Sequence, residues 1–598
     1  MFQTFDATNS PEQGPKRLTM LRKQMAKSNI DGFLVPRSDV HQGEYVAERD
    51  DRLAWLTGFT GSAGFCCVLP HVAGVFVDGR YRVQVKQQVS NVFSPVHWPE
   101  TQLADWLSKN LTKGRVAFDP WLHTVQQVED LSAGLLDTDL TLLPSKNLID
   151  LVWHDQPDAP LEKAIAYPLK FAGETHHNKR HRLAAELKNA GQSATVITSP
   201  DSLCWLLNIR GNDIPRNPLV HGFAILHCDG HVDLFMEKTK VTELADHFGS
   251  EVTQIDPDTF IDHLAKLSGS IRLDKSSAPM AVASILAAND IEISYDIDPC
   301  ALPKACKNQA ELSATTEAHL RDGAAVCDFL AWFDENARTG ITEIDLVKTL
   351  ENYRRDTNLL RDLSFETIAG TGPNGAVIHY RVTHQTNRQL ADGDIVVLDS
   401  GGQYLDGTTD ITRTLPVGQV GNAERHAFTL VLQGMIAVSR LCWPVGLAGR
   451  DIEAFGRAPL WQAGLDFDHG LGHGVGTYLC VHEGPQRLSK TSHIALSEGM
   501  ILSNEPGYYR EGAFGIRIEN LVVVEACPQK EGGDTHRPML RFRTLTYAPI
   551  DRRLIVTEML NPIERDWLNT YHQECFERLS PRVNAKTRGW LSQATAAV

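Results

Sequence analysis

The chain has 598 residues, and its 74 acidic against 58 basic side chains give a formal net charge of −16. This length exceeds what one hydrophobic core usually organises, so we expect several domains, and the acidic balance argues against nucleic acid or an anionic membrane as the partner. The 11 cysteines form no CxxC pair, and neither a signal-peptide pattern nor an 18-residue apolar run occurs, which predicts reduced thiols, no membrane span and a cytoplasmic location.

The N-terminal half repeats one order of elements. The first copy runs through "IDGFLVPRSDV", "LAWLTGFTGSAGFCCVLP" and "AGVFVDGRYRVQV", which we interpret as short strands separated by Gly and Asp turns. Later, "ATVITSPDSLCWLLNIRG" and "HGFAILHCDGHVDLFME" again give an apolar strand, a polar turn, a Trp-Leu pair and a Gly-Phe that opens a strand, with Phe65 and Phe223 in matching places. This order predicts two copies of one α/β module.

A third domain begins with a long predicted helix. Asn308 and Glu311 form a capping-box pattern ahead of apolar residues at helical spacing. Further helices are predicted at "AERHAFTLVLQGMIAVSRL", at "DIEAFGRAPLWQAG" and in a C-terminal tail around "ERDWLNTYHQECFERL". Strands are predicted at "GDIVVLDSGGQY", "GMILSNEPGYY" and "GIRIENLVVVEA". We therefore expect domains over 1–155, 156–306 and 307–598.

Four carboxylates accompany the apolar strands of this third domain. Asp399 ends the run "IVVLDS" and Asp410 follows eleven residues later, so two adjacent antiparallel strands would bring both to one end of a sheet. Glu505 and Glu519 lie in apolar strands where a carboxylate is rare, and strand alternation would place Arg517 on the same face as Glu519. Taken singly, an Asp at a strand end beside Gly is better explained as a turn residue, and each Glu is equally well explained as an edge-strand residue that faces water.

Together these acids predict a metal site. Carboxylates gathered in one pocket with a histidine from "HGLGHGVGTYLCVHEG" would repel one another by roughly 4 kcal/mol per close pair at an effective dielectric constant near 20. Two divalent cations with a bridging hydroxide nearly balance that charge. Oxygen donors with one imidazole suit Mn²⁺, Co²⁺ or Zn²⁺, and a bridged pair would activate water for hydrolysis.

One glycine-rich stretch suggests a different function. Gly370, Gly372 and Gly375 in "GTGPNG" match the GxGxxG pattern of dinucleotide-binding loops. We predict a strand, "AVIHYRV", after it rather than a helix whose N-terminus would hold a pyrophosphate, so nucleotide binding is not expected.

The motifs "VLDSG", "DGTTDITRT", "GLGHGVG", "NEPGYY" and "GIRIEN" occur in this order. They resemble the metal-binding motifs of the pita-bread metallopeptidases, a family that includes aminopeptidase P, prolidase, methionine aminopeptidase and the metal-free creatinase. With "HQGEYVAERDDRLAWLTGFTGSAG", "VDGRY", "VHEGP" and "DWLNTYH", the chain is most similar to the long, three-domain, cytosolic type of aminopeptidase P. The resemblance implies an α/β and α+β fold with two creatinase-like N-terminal modules and a pita-bread catalytic domain.

The resemblance also implies a ligand set for two metal ions, with Mn²⁺ favoured and Co²⁺ or Zn²⁺ as alternatives. Asp399 and Asp410 would bind one ion, and Asp410 and Glu519 would bridge to the second. His473 and Glu505 would complete the second ion. Because all of these positions are filled, the resemblance favours a metal-dependent enzyme over a creatinase-like protein.

Other residues take expected roles on the same basis. Glu505 would act as general base, and His482 would donate to the carbonyl oxygen as charge develops. His379 would contact the substrate near the scissile bond, His469 would shape the proline side, and Arg80 would contact bound peptide. The expected catalytic residues are His379, His482 and Glu505, and the expected substrate-binding residues are Arg80, His379, His469, His482 and Arg517.

The implied activity is removal of the first residue from peptides whose second residue is proline, by attack of the metal-bridging hydroxide. A homodimer is implied as well. The alternatives are a prolidase, which acts on Xaa-Pro dipeptides, and a catalytically silent binding protein on the same fold. The segment "RVTHQTN" after His379 departs from the Pro-containing versions of the family and leaves the preferred peptide length open.

Overall fold

A boundary between two units of the structure falls after Ala301. In the computed structural model, which describes residues 1–598, Thr8–Ala301 form an N-terminal unit, and Leu302–Val598 together with Met1–Ala7 form a C-terminal unit. No helix combines the length and the apolar character that crossing a membrane requires.

Helices and short strands alternate through the N-terminal unit. Its helices are α1 (Gly14–Lys27), α2 (Arg52–Thr57), α3 (Arg82–Gln88), α4 (Leu103–Asn110), α5 (Val125–Gly134), α6 (Leu169–Ala172), α7 (His176–Asn189), α8 (Pro200–Leu206), α9 (Lys238–Val241), α10 (Ala245–Phe248), α11 (Phe260–Leu264) and α12 (Met280–Ala288). Its strands are β1 (Gly32–Pro36), β2 (Phe65–Val68), β3 (Ala73–Val77), β4 (Ser94–His97), β5 (Lys113–Phe118), β6 (Asp139–Pro144), β7 (Ile165–Ala166), β8 (Ala194–Ile197), β9 (Ile209–Arg210), β10 (Phe223–His227), β11 (Val232–Phe235), β12 (Val252–Ile255), β13 (Ser270–Leu273) and β14 (Glu292–Tyr295).

The predicted repeat is confirmed by the sheet topology. One six-stranded sheet has the order β4-β3-β2-β1-β5-β6, and the other has the equivalent order β12-β11-β10-β8-β13-β14. Phe65 opens β2 and Phe223 opens β10, and each of these strands pairs antiparallel with the first strand of its own module. The N-terminal unit therefore contains the same α/β module twice.

Two segments of the first module differ from their predicted strands. "LAWLT" forms α2, in which Leu53 and Leu56 are fully buried three residues apart on one helical face. "RVQVKQQ" forms α3. Strands were the wrong prediction here because short apolar runs do not distinguish the two periodicities, and packing against the sheet decides between them.

The C-terminal unit begins with the predicted long helix, whose Asn308 and Glu311 form both halves of the capping box. Its helices are α13 (Ala301–Ala305, which begins at the boundary), α14 (Gln309–Asn336), α15 (Glu343–Asp356), α16 (Asn422–Ser439), α17 (Gly449–Gln462), α18 (Pro562–Leu579) and α19 (Ala585–Ala594). Its strands are β15 (Leu360–Leu363), β16 (Ile368–Thr371), β17 (Ile395–Ser400), β18 (Gly402–Tyr404), β19 (Gly407–Thr408), β20 (Ile411–Pro416), β21 (Cys442–Pro444), β22 (Gly472–Gly474), β23 (Glu483–Leu488), β24 (Ile501–Asn504), β25 (Gly507–Arg510), β26 (Phe514–Arg517), β27 (Asn520–Ala526) and β28 (Met539–Thr544).

Two sheets of this unit meet where the acidic residues lie. One has the order β16-β17-β20 and the other the order β21-β28-β27-β24-β22-β23, with the hairpin β25-β26 between β24 and β27 in the chain. Thr412 of β20 accepts the backbone N–H of Glu519 on its carbonyl oxygen at 3.1 Å, and Thr414 exchanges side-chain bonds with the backbone of Arg517. These bonds join the strand ends that carry the acids.

The first residues of the chain fold with the C-terminal unit. The side chain of Gln3 donates to the carbonyl oxygen of Thr367 and accepts from the backbone N–H of the same residue, at 3.2 and 2.8 Å. The backbone N–H of Phe2 donates to Glu351, and Phe5 is buried in the core around α14 and α15. Residues 1–7 therefore form a strap on this unit.

The segment "AVIHYRV" is not the predicted strand. After β16, Gly372 adopts a φ of +51° and opens a short 3₁₀ helix (Gly372–Ala376), and the chain then turns through 377–380. The hydroxyl of Tyr380 donates to buried Glu343, and the side chain of Asn374 donates to the same carboxylate. These long-range bonds hold the turn, and no α-helix follows the glycines.

Candidate active site

Asp399 and Asp410 lie side by side on two strands of one sheet, as predicted. Asp399 pairs with Thr412 across the antiparallel strands β17 and β20, and Asp410 directly precedes β20. Both side chains are buried, and neither Asp399 Oδ1 nor Asp410 Oδ1 has a hydrogen-bond partner. A buried carboxylate oxygen without a partner is costly, so each of these atoms faces a position that a cation would fill favourably.

Glu505 and Glu519 lie immediately outside strands rather than within them. Glu505 follows β24 and Glu519 occupies the gap between β26 and β27. Thr412 holds Glu519 through a bond from its hydroxyl to Oε2 at 2.9 Å, while Glu519 Oε1 is buried without a partner. The hydroxyl of Ser503 donates to Glu505 Oε1 at 3.1 Å. Each carboxylate is therefore fixed by a neighbouring hydroxyl group.

His473 faces these carboxylates from β22. Its Nε2 lies 3.4 Å from Glu505 Oε1 and 3.6 Å from Asp410 Oδ2. Its Nδ1 lies 3.0 Å from the carbonyl oxygen of Gly474, so a proton on Nδ1 leaves the Nε2 lone pair directed at the acids. One donor atom from each of Asp410, His473 and Glu519 lies within 4.8 Å of the others.

Electrostatics also favour cations at this site. Burial raises the pKa of Asp410 and of Glu519 well above its ordinary value, and the neighbouring carboxylates raise both further. Burial raises the pKa of Glu505 to about 7, against the opposing effect of Arg517. Three unpartnered carboxylate oxygens, further acid oxygens and one imidazole match the donors that Mn²⁺, Co²⁺ and Zn²⁺ prefer. The residues present therefore fit a pair of divalent cations.

Arg517 is buried against the site rather than open to a ligand. Its Nη2 donates to Asp399 Oδ2 at 2.6 Å and its Nη1 donates to the hydroxyl of Tyr509 at 2.6 Å. The same hydroxyl lies 2.9 Å from Nε2 of His469. Sequence reasoning missed Tyr509, although it lies in the "NEPGYY" motif. The contacts link a predicted metal ligand, through Arg517 and Tyr509, to a predicted substrate residue.

His482 lies beside the metal-facing histidine. The ring centroids of His473 and His482 are 4.4 Å apart, with the planes at 75°. Gly474 permits the close pairing of β22 with β23, because a Cβ there would lie 2.6 Å from the carbonyl oxygen of Glu483. The structure therefore brings together the imidazole predicted to bind metal and the one predicted to stabilise the oxyanion.

The residue after His482 forms a buried ion cluster that sequence reasoning missed. Glu483 Oε2 accepts a short hydrogen bond from Nζ of Lys307, and Nζ of Lys304 lies 3.4 Å from Oε1. All three side chains are buried. Glu483 could have been noticed, because it lies in the motif "VHEGP". Its lysine partners could not, because they lie far away in the sequence, just before α14.

His379 and Arg80 lie in different units. His379 occupies the turn at 377–380, and the short helix before it contacts β26 so closely that a Cβ on Gly515 would lie 1.8 Å from the carbonyl oxygen of Gly375. Arg80 belongs to the N-terminal unit, where its Nη2 and Nε donate to Asp78 at 2.7 and 3.0 Å. Burial lowers the pKa of the Arg80 guanidinium, but Tyr81, Asp78 and Glu44 together hold it above its ordinary value.

Four family models match the chain. The Creatinase/Prolidase N-terminal domain matches at residues 17–152 and again at 155–311. Metallopeptidase family M24 matches at 313–526, and the C-terminal region of peptidase M24 at 538–598.

Relatives that match nearly the whole chain are named as aminopeptidases P. A "Probable Xaa-Pro aminopeptidase P" of Laccaria bicolor is 38% identical over 96% of this chain and 92% of its own length, and "Aminopeptidase P2" of Arabidopsis thaliana is 36% identical over 96% and 87%. The crystal structure of X-prolyl aminopeptidase from Caenorhabditis elegans, described as a cytosolic enzyme with a di-nuclear active site, superposes with a TM-score of 0.92 at 30% identity, over 98% of this chain and all of that one. Xaa-Pro dipeptidase from Bacillus anthracis matches 63% of this chain and 99% of its own at 24% identity and a TM-score of 0.51, a likeness of fold alone.

Proposed function

The chain belongs to metallopeptidase family M24, within the group of the Xaa-Pro aminopeptidases P, and on this premise we propose that it removes the first residue from peptides whose second residue is proline. Its fold is two creatinase-like modules followed by a pita-bread metallopeptidase domain. The observation that carries the proposal is the set of three buried, unpartnered carboxylate oxygens, on Asp399, Asp410 and Glu519, in a chain that is similar over nearly its full length to a di-nuclear enzyme.

Two divalent cations complete this site. We propose that Asp399 and Asp410 would hold one ion, that Asp410 and Glu519 would contribute to both, and that His473 and Glu505 would complete the other, with Mn²⁺ as the native metal. When bound, such a pair lowers the pKa of a water molecule and polarises the scissile carbonyl group.

The protein side chains supply the proton transfers and the positioning. Glu505, held by Ser503 and near His473, takes the proton of the attacking water and returns it to the proline nitrogen as the bond breaks. His482 donates a hydrogen bond to the carbonyl oxygen, where negative charge grows. Without this proton the proline nitrogen would have to leave as a strongly basic amide anion, and with it the nitrogen leaves as an amine.

The remaining predicted residues have proposed roles in holding the peptide. His379 contacts the substrate near the scissile bond, and His469, held by Tyr509, lines the proline side. Arg80 contacts bound peptide. The guanidinium of Arg517 is already engaged by Asp399 and Tyr509, which favours a positioning role over the direct substrate contact expected from the sequence.

The wider organisation is proposed on the same premise. We propose domain boundaries at 1–155, 156–306 and 307–598, with residues 1–7 packed on the third domain, and a homodimer as the assembly. Light scattering on the purified protein tests the homodimer. A cytoplasmic location is proposed because the similar enzyme from Caenorhabditis elegans is described as cytosolic.

A metal-reconstituted cleavage assay tests the function. The metal-free protein is loaded with Mn²⁺, Co²⁺ or Zn²⁺ and given Xaa-Pro-Pro tripeptides, Xaa-Pro dipeptides and Xaa-Ala-Pro controls. We expect release of the first residue from the proline tripeptides and little turnover of the alanine controls. Activity confined to dipeptides would instead identify a prolidase, and no turnover with any metal would identify a silent binding protein.

A further inference from the structure

A second group of metal-ligand side chains lies on the repeated module of the N-terminal unit. Helix α7 presents His177 and His181, which are four residues apart and therefore on one helical face. Glu251, directly before β12, faces both: His177 Nδ1 lies 2.9 Å from its Oε2 and His181 Nε2 lies 3.2 Å from its Oε1. The two rings have centroids 4.3 Å apart.

We infer that His177, His181 and Glu251 form a divalent-metal site of the zinc type, in addition to the proposed dinuclear centre. One donor atom from each residue lies within 4.8 Å of the other two. Donor atoms around a tetrahedral Zn²⁺ at about 2.0 to 2.2 Å are roughly 3.4 Å from one another, and the two imidazole nitrogens lie 2.9 and 3.2 Å from the two oxygens of Glu251. Two imidazoles with one carboxylate suit Zn²⁺, and solvent fills the remaining position.

The surroundings hold two of these donors in place. A Cβ on Gly230 would lie 2.8 Å from Nδ1 of His181, so this glycine lets the hairpin between β10 and β11 seat the imidazole ring. Arg180, itself buried, donates to Glu251 Oε2 at 3.0 Å. This bond orients the carboxylate as hydrogen bonds around metal sites do, while the positive charge of the guanidinium limits the affinity for a cation.

Binding exchanges protons for the metal. The nitrogens that face Glu251 each carry a proton when they donate to the carboxylate, and a metal ion takes the place of those protons. The result is a direct link between α7 and the segment entering β12, which are 70 residues apart in the sequence. Such a link stabilises the folded module by an amount that rises with the logarithm of the free metal concentration above the dissociation constant.

A neighbouring cluster provides a matched control. His227 and His231 both approach Asp233, at 2.9 and 3.4 Å, so the donor types are the same. Their ring centroids are 6.1 Å apart, compared with 4.3 Å for the proposed pair. We expect the three donors of the control cluster not to converge on one ion.

The test is calorimetric titration of Zn²⁺ into the metal-free full chain carrying Asp410→Ala, which disables the main centre. Adding His177→Ala and His181→Ala to this background should remove one Zn²⁺ equivalent, and adding His231→Ala instead should remove none. Any Zn²⁺ that remains at the altered main centre cancels in the comparison. Equal stoichiometry in the parent and the double histidine variant, or equal losses in both arms, would overturn the proposal.

A second measurement distinguishes the loss of a metal ligand from a folding defect. His177 is more than half exposed, so His177→Ala alone should leave the metal-free thermal unfolding curve unchanged. The same variant should weaken Zn²⁺ binding by at least about tenfold, since one of three ligands is lost. Unchanged affinity in this folded variant would also overturn the proposal.

Discussion

Asp399 accepts a 2.6 Å hydrogen bond from the buried guanidinium of Arg517, so a predicted metal ligand is also one half of a buried ion pair. Removing the positive partner leaves Asp399 buried with an uncompensated charge. We expect Arg517→Ala to lower the free energy of unfolding of the metal-free C-terminal unit by about 3 kcal/mol, measured by urea denaturation. The exposed pair of Arg537 and Asp534 supplies the control. Arg537→Ala should change the free energy of unfolding by less than about 1 kcal/mol.

Loss of a proposed bridging carboxylate should abolish activity through loss of metal. Asp410→Ala or Glu519→Ala should reduce cleavage to near background, and plasma mass spectrometry should find a matching fall in bound Mn²⁺. The exposed Asp392, which pairs with Arg338, offers the control: Asp392→Ala should keep both metal and activity. Full metal content in the two site variants would contradict the assigned ligands.

His482 is expected to act on the substrate rather than on the metal. His482→Ala should lose about 2 to 4 kcal/mol of transition-state stabilisation, a fall in kcat of roughly 10² to 10³, with Mn²⁺ retained. His426→Ala, on the exposed start of α16, is the control and should behave as the parent. Metal loss from the His482 variant would show that the histidine roles are wrongly divided.

The metal-free protein should lose stability as the pH rises from about 4.5 to about 7. Folded Glu505 keeps its proton up to a pKa of about 7, whereas an unfolded glutamate releases it near pH 4.3. Between these values the folded state binds more protons than the unfolded state, so the free energy of unfolding falls with rising pH, by up to about 4 kcal/mol from this group.

Thermal unfolding of chelator-treated protein between pH 5 and pH 8 measures this effect. Glu505→Gln, which cannot ionise, should be less sensitive to pH over the same range. The same slope in the parent and the variant would refute the assignment.

The buried cluster at Glu483 should affect turnover more than substrate binding. Lys307→Met removes one of its two cations, and the strand end next to His482 then loses a fixed partner. We expect kcat to fall by about tenfold or more with KM nearly unchanged and metal retained, since the loss concerns an interaction made in the transition state. Lys163→Met, at an exposed pair with Glu243, should change neither constant. A rise in KM alone would exclude the positioning role.

Much of the site was predictable because its residues follow local rules. Asp399 and Asp410 could be placed together because a strand, a turn and a second strand make adjacent antiparallel neighbours. The turn at His379 could not be predicted, since Tyr380 reaches Glu343, 37 residues away. Lys307 and Glu483 are separated by 176 residues, and no local sequence pattern predicts that they form an ion pair. Short helices such as α2 were missed because burial on both sides of a short run conceals its period.

The strap of residues 1–7 affects how the protein can be made and divided. Gln3 and its partner Thr367 are 364 residues apart in the sequence. During synthesis the first residues therefore cannot form these bonds until the whole N-terminal unit has been made. A fragment beginning at residue 302 would expose the cleft that Phe5 fills and would leave polar groups of Glu351 and Thr367 without their partners. Adding back a peptide of the first seven residues should therefore stabilise such a fragment, as a missing piece of the same unit.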